Sequence, residues 1–546
     1  MNKKKAAAIL EEMADLMEVT GSNPFRIRAF RNAGRIVPTL EGDITADRLA
    51  GVKGIGKGLS EIILSLLQSD SHPLLEDLYE KVSPGVRELL QIPGLGPKKV
   101  RTLVEHLGID NPGELLYVIY QNRLLDLPGF GEKTQRALGL QLESKEARRH
   151  EIHLDRALDL ARTWQTSLPS LIPSGLLRRF DRTIGLLTFV LSDREKGNIG
   201  DILPDGSWEQ KGRTLHSWHH HTPVEIHLAE EKTEILRLWE TTGSPSHVEA
   251  VKRRIVESGA DLPSHPESEE AIYSLAELPW IPPELRESGN DLTFTASFDL
   301  STLLKPEDIR GCLHNHTVWS DGIHTLEEMA SAARDLGWSF LGFADHSQSA
   351  YYARGLETRR LLEQTREIHA LRQSIPDLSL FTGVECDILP DGSLDYPDEV
   401  LESLDFVVAS VHTRFSLTRE EQTERILRAI ANPHVDILGH PTGRLLLARE
   451  PYDADMDRIL EAAARHRIMI EINANPHRLD LDWTRVKTAL DLDIPLMINP
   501  DAHMTDGLTD VLYGVMVGRK GFLTREACAN TWSPERLRSW LGGDRG

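Results

Sequence analysis

Short apolar runs punctuate the C-terminal half of the chain, and each stops at a histidine or a carboxylate. Cys312-Leu313 leads to His314-Asn315-His316, and Phe340-Leu341-Gly342-Phe343-Ala344 leads to Asp345-His346. Leu380 to Val384 leads to Glu385-Cys386-Asp387, Phe406 to Val411 leads to His412, and Val435 to Gly439 leads to His440-Pro441. Ile468-Met469-Ile470 leads to Glu471-Ile472-Asn473, and Pro495 to Pro500 leads to Asp501-Ala502-His503. Runs this short read as buried strands, and helical patterns such as Leu326 to Leu336 and Glu421 to Ala431 separate them. Strand and helix alternating seven times predicts a parallel barrel. Such barrels gather their chemistry at the carboxyl ends of the strands, where these polar residues fall. His314 and His316, two apart on extended chain, project from one face as a chelating pair for a borderline divalent metal, with Asp321 in the turn that follows.

The N-terminal region has a different texture. Ile9, Leu10, Met13, Leu16 and Met17 recur at helical spacing, and Gly21-Ser22-Asn23-Pro24 ends that helix. Phe25-Arg26-Ile27-Arg28-Ala29-Phe30-Arg31 follows, basic with interleaved aromatics, a pattern that also suits a plain solvated helix face. A short motif then recurs: Val52-Lys53-Gly54-Ile55-Gly56-Lys57, Ile92-Pro93-Gly94-Leu95-Gly96-Pro97-Lys98-Lys99 and Leu127-Pro128-Gly129-Phe130-Gly131-Glu132-Lys133. The glycines permit a tight turn and close approach of a ligand, the next helix aims free N–H groups at a phosphate, and lysines add charge. The alternative for each is a helix-connecting turn. Their repetition makes phosphate binding by Gly54, Gly56, Lys57, Gly94, Gly96, Lys98, Gly129, Gly131 and Lys133 the expectation.

Composition narrows the partners. The 546 residues suggest two to four domains and carry a formal charge of −22. Residues 1–145 hold 19 Lys+Arg against 19 Asp+Glu, so the acidic excess lies wholly beyond them, and any grip on DNA should be local and N-terminal. Cys312, Cys386 and Cys528 are too few and too far apart for a disulfide framework, which suits a reducing cytoplasm. The opening Met1 to Leu10 imitates a signal peptide until Glu11-Glu12 and Asp15 cut the apolar stretch short. No run approaches the roughly 18 apolar residues of a membrane span, so no membrane partner is expected.

Residues 310–503 resemble the PHP (polymerase and histidinol phosphatase) domain. The motifs are His314-Asn315-His316, Ser320-Asp321-Gly322, Ala344-Asp345-His346, Gly383-Val384-Glu385, Ser410-Val411-His412, Gly439-His440-Pro441 and Asp501-Ala502-His503. The resemblance implies nine ligands and three divalent ions, zinc, manganese or iron. His314, His316, Glu385 and Asp501 would hold the first, Glu385, His412 and His440 the second, and Asp321, His346 and His503 the third. The family usually has Asp where Cys312 stands, outside the nine. The N-terminal repeats look like helix-hairpin-helix motifs, which grip DNA backbone without reading sequence.

This order, with Leu278-Pro279-Trp280-Ile281-Pro282-Pro283-Glu284-Leu285-Arg286-Glu287 between, resembles a bacterial X-family DNA polymerase with a C-terminal PHP domain. The expected fold is multidomain: an all-α helix-hairpin-helix region, an α+β polymerase-like palm and thumb, and an α/β distorted seven-stranded parallel barrel. The expected boundaries are 1–90 for an N-terminal helical domain with the first hairpin and 91–148 for a fingers-like region with two more. The degenerate palm and thumb would span 149–290, and the PHP domain 306–546. The palm departs from the family, which reads Gly-Ser-x-Arg-Arg-Gly and then Gly-Asp-x-Asp. Here Gly175-Leu176-Leu177-Arg178-Arg179-Phe180 and Gly185-Leu186-Leu187-Thr188 stand instead. Leu186 supplies no ligand, Thr188 is a poor one, and Glu225 alone cannot hold two Mg²⁺ about 3.5–4 Å apart. Polymerase activity is therefore expected to be lost. Lyase activity is doubtful too, because Leu59-Ser60-Glu61-Ile62-Ile63-Leu64 lacks the family's lysine. His219-His220-His221 would point to alternate faces of a strand and chelate poorly as a set.

Close cations acidify water and neutralise charge on a phosphate, so the expected reaction is phosphoester hydrolysis. The hairpins select a DNA strand end, which makes the expectation a 3′→5′ exonuclease in repair, with abasic-site or 3′-end cleaning as further roles. Arg444 is a candidate for phosphate binding or for a surface ion pair, with Asn475 and Arg478 behind it. The rivals are a small-molecule phosphatase, a DNA-binding scaffold and a residual polymerase. A monomer is expected.

Overall fold

Good helix formers at helical spacing build the first part of the chain almost wholly from helices. The computed structural model describes residues 3–69, 72–121, 123–124, 127–146, 150–201, 207–230, 232–288 and 292–542. They divide into two compact units, Met1–Leu142 and Glu143–Gly546. In the first, helices Lys3–Val19, Pro24–Ile36, Lys57–Ser69, Pro97–Leu107 and Pro112–Tyr120 close over Leu10, Met13, Leu16, Ile63, Val100 and Leu115. The three glycine motifs share one geometry. Gly54, Gly94 and Gly129 lie in the left-handed region at φ +96°, +91° and +86°, where a side chain would be strained. The apolar residue that follows is buried in each, as Ile55, Leu95 and Phe130, and a helix begins at once: Lys57–Ser69, Pro97–Leu107 and Glu132–Glu146.

The second unit opens with a five-stranded mixed sheet. Its order is Ile172–Ser174, Leu187–Ser192, Thr222–Ala229, Thr214–His219 and Glu209–Lys211. Leu187, Phe189, Leu191, Val224 and Ile226 alternate into its core. Helices Glu234–Thr242, Pro245–Glu257 and Glu269–Leu275 follow and bury Trp239, Val251 and Tyr273.

The barrel comes last. Strands Gly311–Cys312, Phe340–Phe343, Ser379–Asp387, Phe406–Ser410, Ile437–Leu438, Met469–Asn473 and Leu496–Asn499 pair in sequence order as one sheet, every neighbour parallel. The seventh strand returns beside the first. Asn499 Oδ1 accepts the N–H groups of Leu313 (2.9 Å) and His314 (3.2 Å), and His316 N–H donates to Ala502 O (2.8 Å). A side chain and one bridge thus nearly close the barrel where a two-residue first strand cannot. Leu313, Phe340, Phe381, Phe406, Ile437, Met469 and Met497 fill the interior, with Trp532, Leu537 and Leu541 packed against them. Phe340 and Phe406 are first residues of their strands, so this apolar plug occupies the amino end and leaves the carboxyl end to polar groups. Among the described residues no helix is long and apolar enough to cross a membrane.

Candidate metal centre

Each barrel strand delivers its polar terminus to the same mouth. His314 and His316 lie just past the first strand, Asp321 in the turn after them, and His346 past the second. Glu385 is on the third, while His412, His440, Asp501 and His503 follow the fourth, fifth and seventh. Eight of the nine residues are buried, and the His412 side chain is 8 % exposed. Glu385 is the hub: its carboxylate lies 3.4 Å from His314, 3.7 Å from His316, 2.8 Å from His346, 3.1 Å from His412 and 2.8 Å from His440. Asp501 reaches His316 Nε2 at 3.0 Å, and Asp321 lies 3.4 Å from His346 and 3.3 Å from His503. Ligand atoms within 4.8 Å of one another form three overlapping groups: His316, Asp321, His346 and His503; His314, His316 and Asp501; and His346, Glu385 and His412. Asp501 (φ +54°) and His440 (φ +24°) sit in left-handed backbone, a strain of roughly 1–3 kcal/mol per residue.

A bound cation fits this crowd. His314 Nε2, His316 Nδ1, His346 Nε2, His440 Nδ1 and His503 Nε2 are buried and make no hydrogen bond. Lone pairs and carboxylates packed this densely out of water are costly unless positive charge sits among them. Mixed nitrogen and oxygen donors suit borderline divalent metals. Burial opposes charge on every group, and the neighbours decide the outcome. Against burial, Asp321 and Glu385 push His346 up to about 10. Burial, then His503 and His346, push His316 down to about 4.

Other polar side chains hold the ligands in place. His314 Nδ1 donates to Glu471 (3.0 Å), His412 Nδ1 to Asp387 (2.5 Å), and Asn473 Nδ2 to Asp501 (3.1 Å). Asp345 accepts from Thr317 N–H (2.8 Å) and Ser320 N–H (3.0 Å) and so fixes the turn that carries Asp321. The sequence places all four at strand ends, but the expected set of nine ligands leaves them out. The available signal was alternation along a strand: Asp387 follows Glu385 by two, and Asn473 follows Glu471 by two, each pair on one face.

The phosphate candidates separate. Arg444 is buried, and its guanidinium donates to Asp482 (2.6 Å), Arg478 O (2.9 Å) and Leu479 O, so all three nitrogens are engaged inside the protein. Arg478, on the loop that Arg444 braces, reaches Asp501 at 3.7 Å. Asn475 is engaged locally: its backbone N–H donates to Asn473 Oδ1 (3.1 Å), and its own Oδ1 accepts from His477 N–H (3.0 Å). In the N-terminal unit, Lys57, Lys98 and Lys133 are exposed beside exposed glycines. A Cβ built on Gly56, Gly96 or Gly131 would meet nothing within 4 Å, so packing within the unit does not demand glycine there.

In the mixed sheet, Thr188 lies directly opposite Glu225 across a parallel pair. Glu225 has His216 at 3.3 Å and His227 at 3.8 Å. Arg178 pairs with Glu269 through two hydrogen bonds of 2.8 and 3.0 Å, and Arg179 donates to Glu287 at 2.9 Å. His219 ends its strand and His220 occupies the turn at φ +53°.

Family models match along the chain: a helix-hairpin-helix domain over residues 1–72, a SAM-like helix-hairpin-helix tandem over 86–143, and a PHP domain over 313–475. The DNA polymerase/3′-5′ exonuclease PolX of Bacillus subtilis is 33 % identical, over 99 % of both chains. The chain belongs to the PolX family. Part of this PolX-family chain also resembles probable phosphatases. A probable phosphatase of Thermoanaerobacter sp. is 27 % identical over 40 % of this chain and 89 % of its own length. One of Clostridium acetobutylicum is 32 % identical over 30 % of this chain and 63 % of its own. The PHP match and the buried histidine–carboxylate groups mark this PolX-family chain as metal-dependent.

Proposed function

We propose that this PolX-family chain is a metal-dependent DNA phosphodiesterase that works 3′→5′, serves repair by cleaning strand ends or abasic sites, and no longer polymerises. The observation that carries the reading is the convergence of nine ligand-type side chains around Glu385 at one barrel mouth. The repeated hairpins supply the DNA grip: their second glycines are free of any packing demand, which suits close approach of a phosphate backbone. We assign three ions, zinc, manganese or iron, to His314, His316, Glu385 and Asp501; to Glu385, His412 and His440; and to Asp321, His346 and His503. Bound there, such ions would stabilise charge on a phosphoryl group and activate water near neutral pH.

The chain's own residues do the rest. Glu471 and Asp387 fix the ring orientation of His314 and His412. Arg478, beside Asp501, is placed to meet a phosphate oxygen, and Arg444 holds its loop. The apolar plug at the amino end keeps bulk water from entering behind the site. In the palm, Thr188 and Glu225 offer one carboxylate where two metals need several. Arg178 and Arg179 are spent on Glu269 and Glu287. We retain the division into 1–90, 91–148, 149–290 and 306–546 as the functional one, and a cytoplasmic monomer, whose three buried free thiols suit a reducing compartment.

The barrel's likeness to probable phosphatases favours one rival, hydrolysis of small phosphomonoesters. Rates on a labelled single-stranded oligonucleotide and on p-nitrophenyl phosphate, both with Mn²⁺, separate the two. Preferential release of nucleotides from the 3′ end is expected. Phosphomonoester turnover without DNA degradation would overturn the nuclease reading.

A further inference from the structure

Two loops that meet at the ligand cluster carry an apolar rim that nothing in the metal chemistry requires. One is 317–325, between the first strand and the helix Leu326–Asp335, and the other is 347–356, after the second strand. Asp321 belongs to the first loop and His346 immediately precedes the second, and these two side chains lie 3.4 Å apart in the cluster. Arg360 stitches them together by donating to Trp319 O (2.5 Å) in one and Arg354 O (2.8 Å) in the other. Among the described residues twelve large apolar side chains are exposed, and three stand on these two loops: Val318 at 40 %, Ile323 at 46 % and Tyr351 at 65 %. Trp319, between Val318 and the ligand Asp321, lies half-buried under the Arg360 guanidinium, 5.7 Å from its ring centroid.

The base of the loop bearing Tyr351 is tied down by hydrogen bonds. Ser349 N–H donates to Asp395 (2.7 Å), and Leu356 N–H returns to His346 O (2.8 Å). A Cβ on Gly355 would lie 2.0 Å from Ser347 O, so the loop closes as tightly as backbone allows. Tyr352 and Ala353 are buried behind Tyr351. The Tyr351 ring, edge-on to Tyr352 at 5.9 Å between centroids, thus keeps much of its surface exposed in a loop that starts next to a metal ligand. A phosphate group has no use for such a surface, nor has a small polar phosphomonoester. A nucleobase has, because stacking on an aromatic face is tolerant of base identity and worth a large part of single-strand affinity.

We infer that Tyr351, with Val318 and Ile323, stacks the unpaired base of the terminal nucleotide while its phosphodiester lies over the ligand cluster. This deepens the nuclease reading and rests on it. The site therefore prefers a single-stranded end whose terminal nucleotide carries a base, and an abasic end is a slower substrate. Two oligonucleotides test it, identical except that the 3′-terminal nucleotide carries a base in one and none in the other. The N-terminal hairpins grip both alike, so they cancel. The parent should cleave the base-bearing end with about tenfold higher kcat/KM. In Tyr351→Ala that ratio should fall toward one, Tyr351→Phe should keep it, and Ile323→Ser should lower it about twofold. Equal ratios in the parent and Tyr351→Ala would overturn the rim. Failure of the parent to cleave either oligonucleotide would instead sink the nuclease reading, and the rim with it.

Discussion

At the barrel mouth Glu385 has five imidazoles within 3.7 Å, the nearest at 2.8 Å. In the palm Glu225 has two, at 3.3 and 3.8 Å, and faces a threonine across the sheet. Both carboxylates sit on strands whose alternate residues build a core, and both cores are intact: Leu187, Phe189 and Leu191 are as buried as Val384, Phe406 and Val408. The difference lies entirely in the side chains that are not part of the core. In the mixed sheet Leu186 and Thr188 stand beside Glu225's strand without adding a carboxylate, and the sheet packs around them, with Thr188 buried. Beside that sheet, Arg178 and Arg286 both grip Glu269. A packed sheet does not by itself assemble a cluster of ligand-type side chains, and the two regions differ in that respect.

The largest effect should come from the barrel ligands. Replacing His314 and His316 together by Ala should cut Mn²⁺-dependent DNA hydrolysis at least about a thousandfold, since even an outer-sphere partner costs roughly 10–100-fold. Elemental analysis should show metal lost in step. The same variant, with degradation silenced, should still extend no primer. Undiminished digestion would end the barrel's half of the comparison, and template-dependent extension would end the palm's.

The palm's arginines offer the next test. Burial pushes the Glu269 carboxyl up, but hydrogen bonds and charge from Arg286 and Arg178 outweigh it and hold it at about 2, against an ordinary value of 4.5. A carboxyl depressed on folding stabilises the protein above its unfolded pKa and loses that contribution as pH falls toward its folded one. The window is therefore about 4.5 down to about 2, and the contribution at neutral pH is about 3 kcal/mol. Glu269→Gln should lower the unfolding temperature at pH 7, with the gap to the parent closing below pH 4.5. A gap independent of pH would mean that the pair is packing rather than charge.

Much of this was readable before any coordinates. The barrel's strand order is legible because six of the seven strands announce their ends with one of the nine ligand-type residues and the sixth with Glu471, and the hairpins are legible because Gly54, Gly94 and Gly129 act within six residues of sequence. What the sequence hid is long-range. The partner of His314 is Glu471, 157 residues away, and the barrel closes through the side chain of Asn499 rather than through a ladder. Arg444 was legible as a cation near His440, but its engagement with Asp482 and two carbonyls depends on a loop 34 to 38 residues downstream. The same distance argument explains Arg178 and Glu269, 91 residues apart.

Glu471 sharpens the barrel side at intermediate magnitude. It is fully buried against His314, and burial pushes its carboxyl up to about 7 even though His314 pulls it down. Gln keeps the shape and a hydrogen-bonding oxygen but not the charge. Glu471→Gln should loosen metal retention about 10–100-fold in a chelator competition. Retention equal to the parent's would leave His314 positioned by backbone alone.

The smallest effect should come from the contact that joins the two regions. Arg182 of the palm meets Asp482, which already pairs with Arg444 at 2.6 Å. Burial raises the Asp482 carboxyl, yet Arg444 and then Arg182 bring it to about 2. The two cations are unequal: the Arg444 side chain is 7 % exposed and that of Arg182 is 43 % exposed. Half in water, Arg182 is screened, and a pair of that kind contributes about 0.2–1 kcal/mol. Arg182→Ala should thus shift stability by less than about 1 kcal/mol, should leave metal content alone, and should lose even that effect near 1 M salt. A loss of metal in Arg182→Ala would mean that the mixed sheet shapes the barrel's metal centre, through Asp482 and the loop that Arg444 braces.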